Sequence, residues 1–135
     1  MKNMSNEPEF DVEKQIAHWR NGANEAWDAA VDMITKGGRI QFGLFFVHLA
    51  LEKVIKAHIW RALQRMPPHI HNLTRLAEIA NLPLDVENRK VLAEINEFNI
   101  EGRYSDLVGP PISLQDAKGY LRRAKGTFEW LKKQF

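Results

Sequence analysis

Glu52, Lys53 and Lys56 sit in the middle of an otherwise apolar stretch, "GLFFVHLALEKVIKAHIW", running from Gly43 to Trp60. A carboxylate four residues ahead of an ammonium is the spacing at which a Glu-to-Lys pair closes across one helical turn. Such a pair is either an ion pair at the rim of a core, worth little where water reaches it, or a polar patch kept at a cleft or interface, where partial desolvation strengthens its charges. Further on, "MPPHIHNLTRL" places His69 and His71 just before a short helical segment. Two imidazoles at i, i+2 invite a metal. No nearby Asp, Glu or Cys completes a ligand set, so no metal is expected. One His anchoring the loop by hydrogen bonds is the simpler role. "EGRYSD" then brings Arg103 and Tyr104. A guanidinium grips phosphate or carboxylate with two parallel hydrogen bonds, and a Tyr can stack or donate. Equally, Arg103 can pair with Asp106 or a helix end and only pin its loop.

These residues need helices to position them. Phe10, Ile16, Trp19, Ala23, Ala26, Trp27, Ala30, Val31 and Ile34 form an apolar stripe of helical period, so a first helix is expected from about Asp11 to Lys36. Gly37-Gly38 stops it, since Gly takes the left-handed cap conformation at little cost. A second helix is expected over Ile40–Gln64, ended by Pro67-Pro68. Asn72 is read as the N-cap of a short third helix faced by Leu73, Leu76, Ile79 and Ala80. Asp85 caps a fourth over Val86–Phe98, with Val91, Leu92, Ile95 and Phe98 inward. The stretch from Asn99 to Ile112 has two Gly, two Pro and no helical period; loops this long are often functional. Ser113 with Asp116 resembles a capping box and opens a fifth helix that runs to the end. No strand is convincing. The fold class expected is all-α, an antiparallel up-and-down bundle of four longer helices plus one short one.

A helical wheel sharpens the second helix. Leu44, Val47, Leu51, Ile55, Ile59 and Ala62 define its core face, with His48 inside that face, His58 near one edge and Glu52 at the other. Lys53 points away. Phe46, Leu49 and Trp60 form a second apolar zone. A helix apolar on two sides is either buried in its own bundle or packed on another chain. The expectation adopted is a homodimer through Phe46, Leu49 and Trp60, with Trp19 and Trp27 of the first helix as companions.

The composition sets the outer limits. With 135 residues, 44% hydrophobic and 27% charged, the chain fits a single domain over 1–135 with one core, and residues 1–9 are expected to form a disordered tail. No cysteine is present, so there is no disulfide framework and no thiolate metal site; this is compatible with a reducing cytoplasm, the localisation expected. No secretory signal is visible. His48, Glu52 and Lys53 interrupt the longest apolar run, so a membrane span is not expected. A net charge of +2 is too small to argue for nucleic acid. "KGYLRRAKGTFEWLKK" nevertheless concentrates Lys118, Arg122, Arg123, Lys125, Lys132 and Lys133 against Glu129 alone. That face is either simply solvated or a surface for an acidic partner or a phosphate backbone.

The order of "LEKVIKA", "HIHNLTRLAEIANL", "GRYSD" and "SLQDAKGYLRRA" after a Trp- and Ala-rich first helix resembles the HEPN domain, the higher eukaryote and prokaryote nucleotide-binding domain, over about Gln15–Leu131. The resemblance implies a compact helical bundle that dimerises. It implies a small protein partnered by a minimal nucleotidyltransferase, a pairing that in several cases forms a toxin–antitoxin module. It carries ligand-binding roles onto Glu52, Lys53 and Lys56, onto His71 at the "HNL" position, and onto Arg103 and Tyr104 at the "RYxD" position. ATP or another nucleotide is the implied ligand. Many members are metal-independent ribonucleases whose signature is an Arg followed four to six residues later by His, paired across a dimer. Here Arg103 has no His in reach, and Arg65 with His71 matches the spacing only across the Pro-Pro loop, where that motif is not expected. Three functions therefore compete: a nucleotide-binding accessory subunit, an RNA-cleaving toxin in which His71 replaces the missing His, and a ligand-free helical scaffold.

Overall fold

The computed structural model describes residues 10–99 and 112–135. The expected tail over 1–9, and Arg103 and Tyr104, lie outside the described residues. Five α-helices follow in order: α1 Val12–Thr35, α2 Ile40–Leu63, α3 Leu73–Ile79, α4 Val86–Ile95 and α5 Leu114–Lys133. No strand occurs among the described residues. The architecture is the antiparallel up-and-down bundle expected. No helix among the described residues is long and apolar enough to cross a membrane.

The helix starts follow from side-chain oxygens placed to accept otherwise orphaned backbone N–H groups. Asp11 accepts from Lys14, Asn72 from Arg75, Asp85 from Asn88 and Ser113 from Asp116. The α1–α2 turn passes through Gly38 at φ +65°, where a side chain would be strained. The end of α2 differs from expectation. It stops at Leu63 because Gln64 adopts the left-handed conformation (φ 53°), so the break precedes Pro67-Pro68. The fourth helix tightens after Ile95 into a 3₁₀ turn, Asn96–Phe98.

Helix α2 lies at the centre, packed most extensively on α1 and also on α5, α3 and α4. Its residues Val54–Trp60 are all buried. Of the second apolar zone of α2, Trp60 is thus used inside the chain. Trp60 is 1% exposed, in a cluster with Ile16 and Ala57, and Phe10 meets its ring edge-on at 5.3 Å. Its indole N–H has no acceptor among the described residues. Trp27 stacks flat on Phe128 at 4.8 Å. Trp27 and Trp60 therefore have almost no surface to give a second chain, contrary to the interface expected of them. Trp19, Phe46 and Leu49 are half-buried. Ala62, expected on the core face, is exposed.

The close approach of α1 and α2 depends on Gly43. A Cβ there would overlap Ile34 Cγ1 and sit 3.3 Å from the Ala30 carbonyl oxygen. Gly43→Ala gains up to about 1 kcal/mol of helix propensity. It also overpacks a rigid contact, at about 1–3 kcal/mol. The expected net is a loss of about 1–2 kcal/mol, read from the urea midpoint; a stabilised variant would mean the two helices can separate freely.

Candidate functional site

His48, Glu52 and Lys56 recur every four residues, so one face of α2 presents all three. The Glu52 carboxylate is the hub. Lys56 Nζ donates to Oε2 at 2.9 Å, and His71 Nδ1 donates to Oε1 at 3.1 Å. Glu52 and Lys56 are each 6% exposed, so the pair lies below the surface rather than at a solvated rim. Across the pair, Lys56 Nζ stands 5.7 Å from the centre of the Trp19 ring, within reach of its electron-rich face.

His71 is held from two directions. Its side chain donates to Glu52, and its main-chain carbonyl accepts from His48 Nε2 at 2.9 Å. A carbonyl can only accept, so His48 carries its proton on Nε2. His48 Nδ1 then faces Glu52 Oε1 at 3.7 Å, too far for a hydrogen bond. The backbone around His71 is braced further on. Asn96 Oδ1 accepts from Leu73 N at 2.7 Å, and Asn96 Nδ2 donates to Asn72 Oδ1 at 3.3 Å. The result is a fixed imidazole whose side chain is 36% exposed, at the outer edge of a buried charge pair.

The structure thus brings together Glu52, Lys56 and His71 of the residues expected from sequence. Lys53 lies on the adjacent face and is not directed to open water. Its stem crosses α1 at Gly22, where a Cβ would come within 3.2 Å of Lys53 Nζ. His48 and Asn96 were not among the expected site residues. The signal for His48 was its place four residues before Glu52. Asn96 gave no local signal, because its partners Asn72 and Leu73 come from a different helix. Among the described residues, no group of three or more His, Cys, Asp or Glu could hold a metal ion.

A second buried imidazole, His58, donates from Nε2 to the Leu131 carbonyl at 2.8 Å and stacks on Phe135 at 3.7 Å. Arg20 covers the same Phe135 ring, 4.2 Å from its centre. Burial pushes both His48 and His58 below the ordinary imidazole value. For His48, the Glu52 carboxylate and the His71 carbonyl oppose that shift in part. For His58, the Leu131 carbonyl opposes it, while Arg61 and Arg20 add to it. A histidine held neutral in the fold binds fewer protons than its unfolded counterpart below the unfolded value of 6.5. Stability is therefore full above that value and falls as the pH drops through and below it. The expected result is a lower urea midpoint at about pH 5.5 than at about pH 7.5, with a smaller difference in His58→Gln. A flat profile would mean that both rings take up protons in the fold as readily as in the unfolded chain.

The HEPN domain family model matches residues 16–134. The crystal structure of an archaeal HEPN homologue superposes with a TM-score of 0.69 at 18% identity, covering 88% of this chain and 96% of that one. At that identity the likeness speaks for the fold alone. Comparison with curated proteins gave no match. The match of the family model over almost the full chain, on a bundle of the same fold, means that this protein belongs to the HEPN domain family.

Proposed function

We propose that this HEPN protein is a cytoplasmic nucleotide-binding accessory subunit, dimeric, acting beside a minimal nucleotidyltransferase in a module of the toxin–antitoxin kind. The observation that carries the nucleotide half is the clamped imidazole of His71. Its Nδ1–H is committed to Glu52, its backbone to His48, and its side chain is 36% exposed. A polar group fixed before a ligand arrives loses little entropy on binding. Glu52 and Lys56 support the ligand face without forming it, because each already satisfies the other. Arg103 supplies the bidentate cation that a phosphate needs.

The test is thermal stability with ATP, other nucleotides and inorganic phosphate, with native mass in parallel. A ligand that binds only the folded state raises the melting temperature, by about 2.7 kcal/mol of stability at a hundred times its dissociation constant. The expected result is a shift with a nucleotide that disappears in His71→Ala and in Arg103→Ala. No shift with any nucleotide, with a clean dimer mass, would sink the nucleotide half and leave the protein partner as the reading to pursue.

One observation favours a second reading. The Glu52 carboxylate fixes the orientation of the His71 ring through Nδ1, as the carboxylate partner of a general base does. In a ribonuclease, the imidazole would accept the 2′-hydroxyl proton. Metal-independent cleavage of single-stranded RNA, lost in His71→Ala, would replace the accessory reading with this one.

A further inference from the structure

A groove of about 300 Å³ runs between α1 and α5, away from the residues around Glu52. Its lining is apolar over Trp27, Val31 and Leu121, with cations along one edge. Lys118, Arg122 and Lys125 follow one another at i, i+4 and i+7, so a single face of α5 presents all three. They are exposed.

Two other cations of α5 are occupied, while Lys133 lies at the far end of the helix, outside the groove lining. Arg123 is paired with Glu94 at 3.0 Å, and Lys132 contacts Glu129 and Asn24. On α1, Asp32 faces Lys36. Among the described residues, no carboxylate lies within ion-pair distance of Lys118, Arg122 or Lys125. Three adjacent like charges repel one another, and a fold that keeps them together without a counter-charge gains stability only when something negative arrives.

We propose that this groove docks an acidic amphipathic segment of a partner protein, a helix that sets an aliphatic side chain between Val31 and Leu121 and its carboxylates against Lys118, Arg122 and Lys125. The floor decides between a protein and a nucleic acid. Nucleic-acid binding faces combine cations with aromatic faces on which bases stack. Here Trp27 is 8% exposed with one ring face on Phe128, and Val31 and Leu121 make up the rest of the apolar floor. An aliphatic strip flanked by charge on one side is what a helix-in-groove contact uses. The proposal rests on residues different from those of the nucleotide reading, and either can fail alone.

The experiment is a selection from a displayed library of random helical peptides against the intact protein, with the charge-reversed variant K118E/R122E/K125E as counter-target. All three positions are exposed, and circular dichroism would establish that the variant folds. The expected winners carry Asp or Glu on one side of an aliphatic stripe. They bind the charge-reversed variant about tenfold more weakly or worse, weaken with added salt, and are displaced by Leu121→Arg. Winners without acidic character, or winners that bind both proteins equally, would overturn the proposal. Single-stranded RNA that binds the intact protein and competes with the winning peptides would assign the face to nucleic acid instead. If the charge reversal turns a dimer into a monomer, the occupant is a second copy of this chain and the partner assignment falls.

Discussion

Glu52→Ala is expected to cost about 3–5 kcal/mol of folding stability, because it leaves the Lys56 ammonium in the core without a counter-charge. Two facts make this larger than for a surface pair. Both side chains are 8% exposed, so water does not replace the lost partner. Glu52 also accepts from His71, so the same substitution orphans a second donor. Lys56→Met should cost less, since Glu52 keeps His71 and the methionine fills the vacated volume. Glu52→Leu combined with Lys56→Met should be milder than Glu52→Ala alone, because an ion pair replaced by apolar groups escapes desolvation. Urea denaturation of the three variants gives the comparison. A loss below about 1 kcal/mol for Glu52→Ala would mean the pair is hydrated after all. Glu52→Ala should also weaken any ligand held by His71, since the ring would lose the carboxylate that orients it through Nδ1.

The second large effect is expected at Phe128→Ala, about 3–5 kcal/mol. Phe128 is 1% exposed and joins α5 to α1 through its flat stack on Trp27, with an interplanar angle of 10°. Such a pair contributes about 0.5–1.5 kcal/mol beyond the area it buries. A double-mutant cycle with Trp27→Leu and Phe128→Leu should return a coupling of that size. Coupling near zero would mean that α5 rests on α2 and α4 and touches α1 only incidentally. The floor of the α1–α5 groove would then not be fixed.

The bundle was legible because its signals are local. Asn72, Asp85 and Ser113 each stand immediately before a helix start, and each accepts from the N–H three residues on, as expected of it. The stripe from Ile16 to Ile34 has one period and one meaning. The two apolar zones of α2 were harder. Periodicity records that both sides of a helix are apolar but not whether its own chain covers them. Here α1 covers the zone around Trp60, so tryptophans expected at an interface lie inside.

The site was legible in part for the same reason. Glu52 and Lys56 are neighbours on one helix, and spacing alone pairs them. Their burial was not legible, because it depends on the segment carrying His71 folding over them. His48 looked like one more residue of the core face. Its role appears only when the His71 carbonyl, 23 residues away, is placed against it. Asn96 was silent because its partners lie in another helix. Arg103 and Tyr104 entered through their chemistry in "EGRYSD" and then through resemblance, and only binding experiments on their variants bear on them.

Asn96 has one more consequence. It stands just after α4 and holds the first turn of α3, while the chain beyond it leads directly to the stretch carrying Arg103. The first turn of α3 follows His71, and His71 holds Glu52. Three residues in series therefore carry the orientation of Glu52 out to the end of α4, and Asn96→Ala is expected to loosen the His71 clamp without touching it. The amide of Leu73, whose N–H Asn96 accepts, would then exchange with solvent faster than any amide of α2. The integrity of the clamp would thus be readable at one amide outside it.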